Sequence, residues 1–95
     1  MKNPRIFDGI GALQFGESDA PVRYHLTVVQ DRRGLSAFGT VEGDVDTLRQ
    51  AQDAPDTHLV LSGGDHELKI VITRHTYGEP AEFKSDGNIA PALRP

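Results

Sequence analysis

The densest group of chemistry-bearing residues is the stretch SGGDHE at positions 62–67, where two glycines precede Asp65, His66 and Glu67. A phosphate-binding loop would need a helix N-terminus after the glycines, with Lys and Ser or Thr, but apolar alternation resumes at Leu68. On a strand, Asp65 and Glu67 point to the side opposite His66, so the three cannot converge on one metal ion by themselves. We therefore interpret the stretch as a hairpin turn with polar rim residues.

The remaining residue types that could carry catalysis do not fall into a known spacing. The histidines show no i, i+4 pair of the zincin type, and no serine stands in a GxSxG or SxxK context. Among the fourteen acidic residues, the sequence does not single out a pair of carboxylates that would flank a cleft. We expect a protein that is not an enzyme and that uses no metal and no cofactor. The histidines are His25, His58, His66 and His75, and the serines are Ser18, Ser36, Ser62 and Ser85.

Basic residues on outward strand positions are the one sign of ligand binding. Strand alternation places Arg23 on the outer side of the second strand and Lys69 on the outer side of the fifth, which would form one stripe only if those strands were neighbours. Phe38 also points outward, where an aromatic ring beside basic groups could stack on a base or a sugar. Alternatively, Phe38 is covered by the helix, the tail or a partner subunit. The candidate ligand-binding residues are Arg23, Arg32, Arg33, Phe38 and Lys69.

Period-two alternation of apolar and polar residues predicts six strands, interrupted by one stretch with helical spacing. The element order is therefore β-β-β-α-β-β-β, and GESDAP at 16–21 is expected to be a turn. Short antiparallel strands with tight turns predict an all-β fold with one short helix, either a small antiparallel β-barrel or a strongly curved sheet. The predicted strands are 5–15, 22–30, 35–43, 57–61, 66–73 and 81–85, and the predicted helix is 44–55.

The two strongest hairpins have registers that keep large apolar residues on one face. A four-residue loop at 31–34 would place Val28 opposite Ala37, and closure over the SGGD turn would place Leu59 opposite Leu68. In the first predicted strand, Gly9 and Gly11 suggest a bulge, a bend or a close approach of another backbone.

The length of 95 residues predicts a single small domain at 1–85 and an irregular tail at 86–95 that is mobile or draped over the body. Apolar residues make up only 37% of the chain, which predicts a thin core. Association with further copies would help to stabilise such a domain.

Charge and composition exclude several classes of partner. The net charge of −4 disfavours binding to nucleic acid or to an acidic membrane surface by charge. The absence of cysteine excludes disulfides and thiolate metal sites. No apolar run approaches the roughly 20 residues of a membrane span, and the N-terminus has no apolar signal core, so we expect a soluble cytoplasmic protein.

The segment GLSAFG at 34–39 resembles the small-x-Ser-x-x-Gly segment of PilZ domains, which are six-stranded barrels that bind cyclic di-GMP. That family usually has an acidic residue or Asn where Gly34 stands, and its RxxxR motif, which contacts the phosphates, is absent upstream. The resemblance covers six residues, and we assign no family from it.

Two hypotheses about function follow from these observations. The first is a small soluble β-barrel that acts without catalysis, through protein–protein contacts or self-association, because the predicted core is thin while Phe38 and Val71 point outward. The alternative is a binding module for a small anionic, nucleotide-like or sugar ligand on the outward basic strand face.

Overall fold

The computed structural model of the protein describes residues 3–64 and 66–95. More than half of the chain lies in strands, as the alternation of apolar and polar residues predicts. The predicted element order is confirmed. The strands are Arg5–Phe15 (β1), Ser18–Asp31 (β2), Gly34–Glu42 (β3), Thr57–Val60 (β4), Glu67–Arg74 (β5) and Ala81–Ser85 (β6); the helix is Val45–Asp53 (α1), and a 3₁₀ turn covers Pro91–Leu93.

The six strands form a closed antiparallel barrel in the order β1-β2-β3-β6-β5-β4. The barrel closes where Ala12–Phe15 of β1 pairs with Thr57–Val60 of β4. Of the two predicted alternatives, the barrel is therefore correct and the open curved sheet is not. Since β2 and β5 are not neighbours, the basic residues of these two strands do not form a contiguous stripe.

Both predicted hairpin registers are confirmed. Val28 pairs with Ala37 across β2 and β3, and Leu59 pairs with Leu68 across β4 and β5. In each hairpin the inward residues are buried while their neighbours along the strand face outward.

The first hairpin differs from the prediction, because the turn is shorter than GESDAP. Gly16 has a φ of 56°, a left-handed conformation that glycine adopts without steric cost. The chain consequently reverses within Gly16 and Glu17, and β2 already begins at Ser18, which pairs with Phe15. This tight turn sets the register of the whole β1–β2 pair.

Gly11 is required where another backbone approaches closely, which is one of the three explanations that the sequence suggested. A Cβ atom at Gly11 would lie 2.1 Å from the carbonyl oxygen of Val60, beside the β1–β4 pairing that closes the barrel. The strand therefore passes β4 at a distance that no side chain larger than hydrogen permits.

The helix α1 covers Val45–Asp53, slightly less than the predicted 44–55, and its flanking residues account for both ends. The Asp44 carboxylate accepts a hydrogen bond from the backbone N–H of Thr47 at 3.1 Å, which caps the first turn. Ala54 before Pro55 is extended, with ψ at 142°, and the helix ends at Asp53. Within the part of the chain that the structure describes, no helix is both long and apolar enough to cross a membrane.

The core fills the barrel and extends to the helix and the C-terminal segment. Leu48 of α1 and Leu93 of the 3₁₀ turn are both buried among the inward strand residues. The Arg5 guanidinium donates hydrogen bonds to the backbone carbonyls of Ala92 and Arg94, at 3.0 and 3.3 Å. The segment at 86–95 is thus draped over the barrel and contributes to its core.

Candidate functional site

The outward side chains of β1, β2 and β3 form a continuous surface, which we call the outer face. They are outward because their neighbours along each strand, such as Leu13, Tyr24 and Val41, fill the barrel. The strand registers arrange them in three cross-strand rows. These rows are Ile6–Thr27–Phe38, Asp8–His25–Thr40 and Ile10–Arg23–Glu42.

A groove of about 550 Å³ lies on the outer face, between the second and third rows. Its floor is formed by the strands around Gly9 and Tyr24, and its walls are the surrounding outward side chains. The Tyr24 ring passes beneath Gly9, where a Cβ atom would lie 2.9 Å from the tyrosine oxygen. The Tyr24 hydroxyl accepts a hydrogen bond from the Ser62 N–H at 3.1 Å, which fixes the ring under the groove. The wall residues are Asp8, Ile10, Arg23, His25, Thr40 and Glu42.

An aspartate–histidine pair stands in the middle of this groove. The Asp8 carboxylate is hydrogen-bonded to Nδ1 of His25, its direct cross-strand neighbour. This contact fixes the orientation of the imidazole and directs Nε2, the other ring nitrogen, away from Asp8. Thr40 lies directly opposite His25 on β3, which adds a hydroxyl group to the same row.

Arg23 and Glu42 form the polar end of the groove. They are cross-strand neighbours on β2 and β3, with Ile10 on the other side of Arg23. Among the described residues, neither Arg23 nor Glu42 has an ion-pair partner within 4.0 Å. Both groups are therefore available to a bound molecule, and their opposite charges lie side by side.

The row that contains Phe38 continues beyond the outer face, around the barrel. Phe38 pairs with Lys84 on β6, and Lys84 pairs with Val71 on β5. Ile6, Phe38 and Val71 are 58%, 49% and 41% exposed, so three large apolar side chains in one row contact solvent. We call Ile6, Thr27, Phe38, Lys84 and Val71 the Phe38 row.

The five candidate ligand-binding residues are only partly brought together. Arg23 and Phe38 share the outer face but are four residues apart along the strands, which corresponds to about 13 Å. Arg32 and Arg33 lie at the β2–β3 turn, at the far end of the same hairpin. Lys69 lies on β5, where its ammonium group is 3.9 Å from carboxylates of Asp56 and Asp86.

Of the residues that line the groove, only Arg23 was predicted from the sequence to bind a ligand. A signal for those on β1 was present, because Leu13 and Phe15 face the core and the same alternation places Ile6, Asp8 and Ile10 outward. Their position beside β2 depends on the register of the β1–β2 pair, which follows from the tight turn at Gly16.

A second histidine lies among charged residues on the outer side of β4 and β5. His58 Nε2 is 3.0 Å from the Asp56 carboxylate, and its Nδ1 is 3.9 Å from Glu67. As predicted, His58 stands opposite Lys69. No group of three or more His, Cys, Asp or Glu residues in 3–64 and 66–95 has a geometry suited to a metal ion.

Of the SGGDHE stretch, residues 62–64 and 66 lie between β4 and β5, and Glu67 begins β5. Gly63 and Gly64 have positive φ values of 91° and 76°, and the Leu61 N–H donates to the His66 carbonyl at 2.9 Å. These features agree with the predicted turn, while Asp65 lies outside the described residues. Among the described residues, the outer face therefore brings together more polar and charged side chains than this turn does.

Comparison with known proteins assigns no relative. No family model matches the chain, and no curated protein or solved structure matches it significantly. The likeness to PilZ domains remains limited to the six residues at 34–39.

Proposed function

We propose that this small β-barrel acts without catalysis, as an interaction domain that contacts another protein molecule through the Phe38 row. The observation that carries the proposal is the alignment of Ile6, Phe38 and Val71 in one cross-strand row. Thr27 and Lys84 separate these apolar side chains along the row. Covering the exposed ring of Phe38 at the centre of the row removes apolar area from water and therefore favours association.

The immediate surroundings of Phe38 favour a protein contact. Its cross-strand neighbours are Thr27 and Lys84, and its neighbours along the outer side of β3 are Ser36 and Thr40. An aromatic anchor within a mixed polar rim is the composition of an interface centre. The barrel surface curves along the row, so we expect Phe38 to contribute most and the ends of the row less.

The acid–base pairs support a role other than catalysis. Asp8 and His25 lie on outward strand faces, while His58 lies on the outer side of β4 with Asp56 just before that strand, and every one of these side chains is at least 31% exposed. A catalytic pair is normally enclosed in a site that excludes water. A cytoplasmic location remains the expectation from the sequence.

Sedimentation velocity on the purified protein at high micromolar concentration tests self-association. We expect Phe38→Ser to lower the associated fraction at least tenfold, whereas Tyr77→Ser should leave it unchanged. Tyr77 is a suitable control because it is 81% exposed but lies in the β5–β6 connection. A strictly monomeric wild-type protein would remove self-association from the proposal.

Contact with a different protein is tested by a photoreactive phenylalanine analogue at position 38 or at position 77. In an extract of the cells that naturally produce the protein, position 38 should give a discrete covalent adduct, and position 77 should not. Adding Val71→Asp to the position 38 variant should reduce that adduct. Monomeric behaviour together with equal labelling at both positions would refute the proposed function.

A further inference from the structure

We infer that the groove of the outer face binds a neutral polyhydroxylated molecule, a monosaccharide or disaccharide, independently of the contact made by the Phe38 row. The groove volume of about 550 Å³ is in the range of small-molecule sites, roughly 300 to 1,000 Å³. Phe38 is not among its lining residues, so the two surfaces can be altered separately.

The charges of the groove select against a strongly charged ligand. The carboxylates of Asp8 and Glu42 would repel an anion, and the guanidinium of Arg23 would repel a cation. The anionic ligand suggested by Arg23 alone is therefore disfavoured by the neighbours that the fold gives to Arg23. A neutral ligand avoids both repulsions.

The hydrogen-bonding groups match hydroxyls better than they match groups that only donate or only accept. Arg23 can only donate, an ionised Glu42 can only accept, and the Thr40 hydroxyl does both. A hydroxyl group also does both, so adjacent hydroxyls of one sugar ring can bond to Arg23 and Glu42 at once. Because these two residues are cross-strand neighbours, they have the close spacing that vicinal hydroxyls require.

His25 provides a further oriented contact. With Nδ1 engaged by the Asp8 carboxylate, Nε2 is the nitrogen left for a hydroxyl group of the ligand. Asp8 thereby acts as a positioning residue for the imidazole.

The groove also offers an apolar surface for the carbon-bound face of a sugar ring. Ile10 lines the groove and is 63% exposed, although it is a large aliphatic residue on a strand. The floor beneath is held in place by Tyr24 through its hydrogen bond to Ser62. An apolar contact with a few convergent polar groups is the usual composition of a small-molecule site.

The test is an NMR titration of the ¹⁵N-labelled protein with glucose, galactose, mannose, N-acetylglucosamine, maltose and lactose, up to tens of millimolar. We expect at least one sugar to shift the amide signals of residues 8–10, 23–25 and 40–42 in a saturable manner. Glu42→Gln and Arg23→Ala should each weaken that binding at least tenfold. The matched controls Glu17→Gln, in the β1–β2 turn, and Arg49→Ala, on α1, should not change it.

Inorganic phosphate, adenosine monophosphate and glycine, titrated separately, distinguish the other ligand classes. Saturable binding of any of these at the groove without binding of a sugar would overturn the inference. So would sugar binding that both groove variants retain, or the absence of any saturable shift with the sugars. Each variant is first checked for the dispersed amide spectrum of the folded protein. None of these results affects the proposal for the Phe38 row, which is tested by association.

Discussion

Replacing Gly11 with alanine tests whether the barrel closes as described. The added Cβ atom would lie 2.1 Å from the Val60 carbonyl oxygen, whereas such contacts essentially never fall below 3.0 Å. The backbones of β1 and β4 would therefore have to separate by about 0.9 Å, since the obstructing atom belongs to the backbone and cannot rotate away. The next residue, Ala12, pairs with Val60. In the described chain, β1 and β4 pair at four positions, and this pair is one of them.

Overpacking of this kind costs about 1 to 3 kcal/mol and occasionally more. The reduced entropy of the unfolded chain in a Gly→Ala variant returns about 0.4 to 1 kcal/mol. Because a backbone pairing must shift, we take the upper end of that cost, about 3 kcal/mol, and expect Gly11→Ala to lower the free energy of unfolding by about 2 to 2.6 kcal/mol. For a domain of this size, that loss corresponds to a decrease in Tm of about 8 to 21 °C.

Gly16→Ala is the matched control, since it makes the same chemical change where a Cβ atom would meet nothing within 4 Å. Its cost arises only from the φ of 56° and should be about 0 to 1.6 kcal/mol after the same entropic gain. Urea unfolding followed by far-UV circular dichroism suits a chain without tryptophan. If Gly11→Ala proves no more destabilising than Gly16→Ala, β1 and β4 do not approach as the closed barrel requires.

Two further substitutions test the helix cap and the C-terminal segment by the same unfolding measurement. Asp44→Ala should cost about 1 kcal/mol because it removes the acceptor of the Thr47 N–H, while Asp44→Ser should retain most of the stability; equal losses for both would contradict the capping role. Leu93→Ala should cost about 2 to 5 kcal/mol because Leu93 is buried, and Arg94→Ala should stay within about 0.5 kcal/mol. A negligible effect of Leu93→Ala would show that the segment at 86–95 is not part of the core.

Local patterns were sufficient to predict the elements and two of the hairpins. In the β2–β3 and β4–β5 hairpins, apolar alternation limits the registers to those that keep residues such as Leu26 and Leu68 inside, and the turn length selects one of them. The closure of the barrel was not predictable in this way. It depends on the β3–β6 and β1–β4 pairs, which join strands distant in the chain and have no turn between them to set a register.

The outward position of Phe38 was predictable, but what surrounds it was not. Alternation along β3 places Ala37 and Val41 inward and Phe38 outward. The identity of its neighbours requires knowing that β6 lies beside β3, which brings Lys84 next to the ring. The row with Val71 exists only because β5 follows β6 in the barrel. The sequence thus indicated an exposed aromatic residue, whereas the strand order determines which residues lie beside it.

The groove was missed for a more specific reason, which lies in the β1–β2 register. A loop over 16–21 would pair Phe15 with Val22, whereas the tight turn at Gly16 pairs Phe15 with Ser18. The two registers differ by four residues, so each keeps the same residues inward and the apolar pattern cannot distinguish them. Only the observed register places Asp8 beside His25.

The glycines of β1 contain the information that separates these two registers. In the observed pairing, Gly9 lies opposite Tyr24 and Gly11 lies opposite Val22. A Cβ atom at Gly9 or at Gly11 would come within 3.2 Å of Tyr24 ring carbons, so the large ring occupies the space that the two glycines leave. In the longer loop, Tyr24 would instead face Leu13, while Gly9 and Gly11 would face the smaller side chains of Val28 and Leu26. Placing the large tyrosine ring opposite a glycine rather than opposite a leucine therefore favours the observed register, and with it the pairing that builds the groove.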